Sequence, residues 1–182
     1  MISTMQELNS AMEAVEASKA ELAQEGVPFN RAIPIGIMIE VPAAAIMADR
    51  FAKVVDFFSI GTNDLVQYTM AADRMNTKVM HMNNSLEPAV LRLINNVIQA
   101  AVAERIQVGM CGEMAGQPMA IPLLLGMGLQ KFSVSGSSVL ATRKLISRID
   151  RRESQELLKV VLELDDPEGI KACVEKWYES RQ

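Results

Sequence analysis

Histidine occurs once in the 182-residue chain, as His81, and cysteine twice, as Cys111 and Cys173. A single imidazole excludes a histidine-rich zinc centre and any reaction that needs two imidazoles. The two cysteines form no CxxC pair and no disulfide framework, so both read as free thiols. Aromatic residues make up 4% of the chain, against 13 methionines and 49% hydrophobic residues. Aliphatic and thioether side chains must therefore fill the interior. Eighteen basic and 22 acidic residues leave a net charge of −4. The charges are scattered, with no basic stripe to follow a phosphate backbone, so no nucleic-acid interface is expected. No apolar run reaches the ~18 residues of a spanning helix, and no membrane insertion is expected. The first residues lack the basic-then-apolar layout of a secretory leader, which makes the cytoplasm the expected location.

The chain also has no low-complexity linker, no internal repeat and neither a G-x-G-x-x-G nor a P-loop fingerprint. Its length suits one domain or a large piece of one, at ~100–200 residues per domain.

What is present is a rhythm. Residues 4–25 carry apolar side chains at three- and four-residue spacing, with Thr4 and Glu7 set for a capping box and Gly26 as a stop. Residues 1–28 thus form a leading helix. Ile33–Glu40 is apolar on both faces, as a buried parallel strand should be, and residues 43–53 read as a short helix. The run beginning Phe57-Phe58-Ser59-Ile60 is a second strand, with helices near 65–72 and 88–104. Gln107–Cys111 is a third strand, followed by a helix predicted to open at Pro118. Lys131–Ser135 is a fourth, leading to a helix at about 138–149. Four strand-helix units over 33–149 predict an α/β fold with a parallel sheet. Residues 150–182 supply two more helices, near 153–164 and 168–179.

Parallel α/β folds gather ligands at the C-terminal ends of their strands. Those ends supply Glu40, Thr62, Asn63, Asp64, Cys111 and Glu113. Two carboxylates from separate strand ends, Glu40 and Asp64, with water or a substrate oxygen, suit Mg²⁺. Asp64 could instead cap the next helix. Arg74 could bind phosphate or carboxylate with its planar fork, or pair with Asp73 or another acid at the surface. Cys111, flanked by Gly109-Met110 and Gly112, could donate a proton or act as a nucleophile, or be inert core. Cys173 and the methionines at 110, 114, 119 and 127 read as packing, and His81 as a loop residue.

Four blocks taken together, Gly36-Ile-Met-Ile-Glu-Val-Pro42, Phe57-Phe-Ser-Ile-Gly-Thr-Asn-Asp-Leu65, Gln67-Tyr-Thr-Met-Ala-Ala-Asp-Arg-Met-Asn76 and Gly109-Met-Cys-Gly-Glu-Met-Ala-Gly116, closely resemble the phosphoenolpyruvate-binding barrel of the Enzyme I family. That family serves the bacterial sugar phosphotransferase system. The likeness runs from about residue 1 to about 150. Pyruvate phosphate dikinase and phosphoenolpyruvate synthase share the Thr-Asn-Asp-Leu and Cys-Gly core, but the third block and Glu-Met-Ala-Gly look like Enzyme I.

The resemblance implies a TIM-type barrel, of which residues 1–182 would form the C-terminal half, since eight strands need ~250 residues. It implies Glu40 and Asp64 on Mg²⁺, Asn63 and the Asp64 backbone on phosphate, Arg74 on phosphoenolpyruvate, and Cys111 as proton donor in forming pyruvate. The family's phosphorylated histidine lies in a separate N-terminal domain, which also meets the histidine phosphocarrier protein, and His81 is in no comparable motif. This chain alone is therefore expected to be inactive. The stretch from His81 to Glu87 and Gln117 depart from the family's usual wording. Two unpaired strand edges, near 33–40 and 131–135, predict self-association into a homo-oligomer such as a homodimer. The alternative readings are a non-catalytic piece acting in oligomerisation, and a metal-dependent lyase or aldolase of the same barrel group.

Overall fold

Four short parallel strands form one sheet in the order β1-β2-β3-β4, each following its neighbour in sequence. They are β1 (Gly36–Ile39), β2 (Phe57–Ile60), β3 (Gln107–Met110) and β4 (Lys131–Phe132). The computed structural model describes residues 1–181. Gln182, the last position of the predicted C-terminal segment, lies outside the described residues. Between and around the strands run α1 (Met5–Gln24), α2 (Pro42–Ile46), α3 (Ala48–Phe51), α4 (Thr62–Met70), α5 (Pro88–Ala103), α6 (Ile121–Met127), α7 (Val139–Ile146), α8 (Arg151–Val161) and α9 (Pro167–Glu179). This is the expected succession of βα units in an α/β fold.

The register places Gly36 beside Phe57, Phe57 beside Gln107 and Gly109 beside Lys131. Because side chains alternate across a strand, Ile37, Ile39, Phe58, Ile60, Val108 and Met110 all point to one face, where they are buried. Their partners there include Ala44, Ala45 and Ala48 of α2 and α3 and an apolar stripe of α5, Val90, Leu91, Ile94, Val97, Ile98 and Ala101. The opposite face carries Met38, Ser59, Gly109 and Lys131. Met38 there is 42% exposed, so this face is open.

Ends of elements follow local chemistry. The Thr4–Glu7 capping box is formed: the Glu7 backbone N–H donates to Thr4 Oγ1 at 3.1 Å, and the Thr4 N–H donates to the Glu7 carboxylate at 3.0 Å. Asp150 and Asp166 cap α8 and α9 through backbone N–H groups two or three residues on. Gly128, at φ +102, stops α6 in the left-handed region open to glycine.

Several boundaries differ from the sequence reading. The first strand spans only Gly36–Ile39, because Pro34 has no N–H for a ladder and Ile35 instead donates to the Asp56 carboxylate at 2.6 Å. The fourth is reduced to Lys131–Phe132, the short form that an edge strand often takes. Residues 43–53 divide at Met47 into α2 and α3. Pro118 does not open α6, which begins at Ile121 with Pro122 in its first turn. Residue 118 lies in a turn instead, and its carbonyl accepts from the Tyr178 hydroxyl at 2.7 Å.

Candidate functional site

The C-terminal ends of β1, β2 and β3 lie side by side by virtue of the register, and each delivers a polar group within one to four residues of its last ladder position. Glu40 follows β1 directly. Its Cβ closely approaches Gly61, where a methyl group would come within 3.1 Å of it. Helix α4 starts at Thr62, three residues earlier than the periodicity suggests, because the apolar run stops at Ile60 and Gly61 serves as N-cap without a side chain to bond. Thr62, Asn63 and Asp64 therefore occupy the first helical turn. Asp64 is not the helix cap; as an acid in the first turn it is favourably placed against the helix dipole.

Asn63 Oδ1 accepts from the backbone N–H of Glu113 at 3.1 Å, tying the start of α4 to the turn after β3. That accepted bond leaves the Asn63 amide N–H₂ as a donor. Arg74 reaches back to Asp64, Nη1 to Oδ1 at 3.5 Å, with both side chains partly exposed. Its partner is thus Asp64, not Asp73. The Arg74 N–H is itself held by the Gln67 side-chain oxygen at 3.1 Å. Cys111, exposed beyond β3, accepts from the Ser59 hydroxyl at 3.4 Å, and its thiol lies 3.7 Å from the Ile60 carbonyl oxygen.

Two cavities open on these groups. One, of about 600 Å³, is lined by Asn63, Cys111, Glu113 and Ser133 among others. The next, of about 500 Å³, takes in Asn63, Arg74 and Glu113. Asn63 and Glu113 border both. Glu40 borders a separate cleft beside α1, near Leu8 and Met12. Thus the fold joins Asn63, Asp64, Arg74 and Cys111 through contacts or shared cavities, while Glu40 adjoins them only through Gly61.

No three His, Cys, Asp or Glu side chains cluster to hold a metal ion among the described residues. A closed structural metal site is excluded there by the donor count. Glu40 and Asp64 are hard oxygen donors of the kind Mg²⁺ takes together with water and substrate oxygens; here Glu40 borders a separate cleft and Asp64 is paired with Arg74. His81 lies in an exposed turn, Met80–Met82. Cys173 is half-buried against the core, and Met110, Met114 and Met127 are buried in it.

Two contributors, Ser59 and Gln67, escaped the sequence reading, and Thr62, named there, has a role it did not foresee. Ser59 shares the open face with Cys111, a relationship the period-2 pattern of β2 and β3 already contains. Gln67 braces the Arg74 backbone, a contact seven residues apart that no pattern announces. Thr62 Oγ1 is buried without a hydrogen-bond partner, directly under Gly112, where a side chain would collide with it.

A parallel βα sheet with carboxylates, an amide and a thiol just past its strand ends belongs to the α/β class, whose ligands bind at those ends. Within that class, residues 1–151 match the family described as PEP-utilising enzyme, PEP-binding domain, and the chain belongs to this family. It is 53% identical over 178 residues to the phosphoenolpyruvate-protein phosphotransferase of Lactococcus lactis subsp. lactis (strain IL1403), covering 97% of this chain and 31% of that protein. The phosphotransferases of the same name from Enterococcus faecalis (strain ATCC 700802 / V583) and Geobacillus stearothermophilus are 52% and 48% identical, over 97% and 98% of this chain and 31% of each relative. The chain thus spans 31% of the length of these curated relatives.

Proposed function

We propose that this chain is the part of a phosphoenolpyruvate-protein phosphotransferase that binds phosphoenolpyruvate and carries the proton donor for pyruvate formation. The observation that carries the reading is the junction of Asn63, Glu113, Asp64 and Arg74 at the N-terminus of α4, beside an exposed Cys111. Asn63 and the backbone N–H of Asp64 would receive the phosphate, as helix N-termini do. Arg74 would fork onto phosphate or carboxylate oxygens, exchanging its Asp64 partner for the substrate. Loss of the phosphoryl group breaks the P–O bond and leaves the enolate of pyruvate. Cys111 would then give its S–H proton to the methylene carbon, forming the third C–H bond and leaving a thiolate.

Glu40 and Asp64 are the side chains that would hold Mg²⁺. Bound there, the ion would supply concentrated positive charge for an anionic substrate. The acceptor histidine and the contact with a histidine phosphocarrier protein would belong to other parts of the longer protein, for sugar uptake in the cytoplasm. The exposed sheet edges β1 and β4 and the open face with Met38 favour self-association of the isolated chain. Sedimentation should find dimers or larger species; a monodisperse monomer would contradict this part.

The direct test replaces the matching 178 residues of the Lactococcus lactis relative with this chain and follows phosphoryl transfer from phosphoenolpyruvate. The chimera should transfer, and Cys111→Ala should slow it by about 10²–10⁴-fold. A folded chimera that transfers nothing, or one indifferent to Cys111→Ala, would overturn the proposal.

A further inference from the structure

A second cavity system lies at the other end of the sheet. An open cleft of about 660 Å³ lies where β3 and β4 begin, bordered by Arg105, Arg151 and Gln130 and by the apolar side chains of Ile106, Ile146 and Ile149. It shares no lining residue with the strand-end cavities. Its volume is within the ~300–1,000 Å³ common for small-molecule sites, and its mix of apolar wall and few polar groups is the usual one.

The charges there are not used internally. Neither Arg105 nor Arg151 has an ion-pair partner or a side-chain hydrogen bond among the described residues. The same holds for Arg143, Lys144, Arg148 and Arg152, which flank Arg151 in sequence. The nearby acids are largely committed. The Asp150 carboxylate caps α8 through the N–H groups of Arg152 and Glu153, and Glu153 pairs with Arg181 at 2.8 Å. Only Glu104, in the flanking sequence, is free of such a bond. Helices α5, α6 and α7 also end here, each with about half a negative charge. Together with the charges of Glu104 and Asp150, which a cap bond does not remove, they more than offset the two lining arginines, and the region is net positive only through the four cations that flank Arg151 in sequence.

Arg105 adds a further observation. It has φ +59, left-handed, at the position after α5 where glycine is the usual residue. The helix end closes around it, with the Arg105 N–H donating to the Val102 carbonyl and the Ile106 N–H to the Ala101 carbonyl. An arginine held there at a conformational cost places its charge on the cleft rim.

We propose that this cleft binds a small organic phosphate, its anionic group on Arg105 and Arg151 and its carbon skeleton against Ile106, Ile146 and Ile149. The site is separate from the strand-end chemistry and does not depend on the function assigned to it.

The test titrates phenyl phosphate into the isoleucine-methyl-labelled chain at low ionic strength and follows the methyl resonances of residues 106, 146 and 149. Saturable shifts are expected, with inorganic phosphate binding at least about tenfold more weakly for want of the apolar part. Arg105→Gly and Arg151→Ala should each weaken phenyl phosphate binding by about tenfold. Glycine is at ease with the left-handed backbone, so Arg105→Gly should keep or raise the melting temperature, which separates lost binding from lost folding. Shifts that fail to saturate, or binding that both variants leave intact, would overturn the site. Equal affinity for inorganic phosphate would overturn the organic ligand.

Discussion

The Ser59 hydroxyl donates to Cys111 Sγ across 3.4 Å, linking β2 to the turn after β3. Ser59 is the register partner of Gly109, so Cys111, two residues on, is on the same open face. The thiol is thereby fixed between the Ser59 hydroxyl and the Ile60 carbonyl, at the mouth of the cavity shared with Asn63 and Glu113.

This arrangement sets the reactivity of the two thiols apart. Cys111 is exposed and Cys173 half-buried, so iodoacetamide should label Cys111 several-fold faster, since access governs thiol reactivity alongside thiolate character. Ser59→Ala should change the Cys111 labelling rate by about twofold or more and leave Cys173 unchanged. Peptide mass spectrometry over time reads both rates; an unaltered Cys111 rate would remove Ser59 from any positioning role.

The Asp64–Arg74 pair should contribute little to folding. At 3.5 Å, with side chains 35% and 45% exposed, it is a solvent-screened pair. Asp64→Ala and Arg74→Ala should each cost about 1 kcal/mol or less in urea denaturation. A loss of several kcal/mol would make the pair structural and weaken its assignment to a ligand.

Gly112 allows no side chain. A Cβ there would collide with Thr62 Oγ1 and stand 2.7 Å from the Thr62 backbone nitrogen, and backbone at a helix start cannot readily move. Gly112→Ala should destabilise by about 2–3 kcal/mol. Gly136→Ala, where nothing lies within 4 Å of the added carbon, should stay within about 0.5 kcal/mol. Thermal unfolding of the two variants checks the contrast.

Alkali should expose Tyr178. Burial raises its hydroxyl from the ordinary 10.0 to about 12, and the hydroxyl donates to the Pro118 carbonyl. The neutral form is favoured in the fold, so the contribution to stability is intact below pH 10.0 and is lost as pH rises towards about 12. Ultraviolet titration should show a tyrosinate transition near there that Tyr178→Phe removes. Glu7 works in the opposite sense: backbone N–H groups of Ser3 and Thr4 hold its carboxyl below 4.5, so its effect is present above that pH and fades on acidification.

The sheet was legible because each strand is a short apolar run bounded by polar or small residues, and α5 because its buried stripe repeats at helical spacing over sixteen residues. Boundaries were less so. Pro118 is compatible with both a first helical turn and a loop turn, and only the long-range bond from Tyr178, 60 positions away, reveals which surroundings it has. The strand-end residues could be named from sequence, but not their grouping. Asp64 and Arg74 are ten positions apart across a left-handed Ala71 (φ +51), a reversal that no periodicity encodes. Asn63 and Glu113 meet only because β2 and β3 are adjacent in the sheet.

The central claim is a phosphoenolpyruvate site built on Asn63, Asp64 and Arg74, with Glu40 and Asp64 holding Mg²⁺. Isothermal titration of the purified chain with phosphoenolpyruvate, with and without Mg²⁺ and with oligomeric state measured on the same sample, tests it most directly. The account expects saturable, Mg²⁺-dependent binding that disappears in Asp64→Ala while the variant stays folded. Absence of binding by a folded sample, or binding indifferent to Mg²⁺ and to Asp64→Ala, would contradict it.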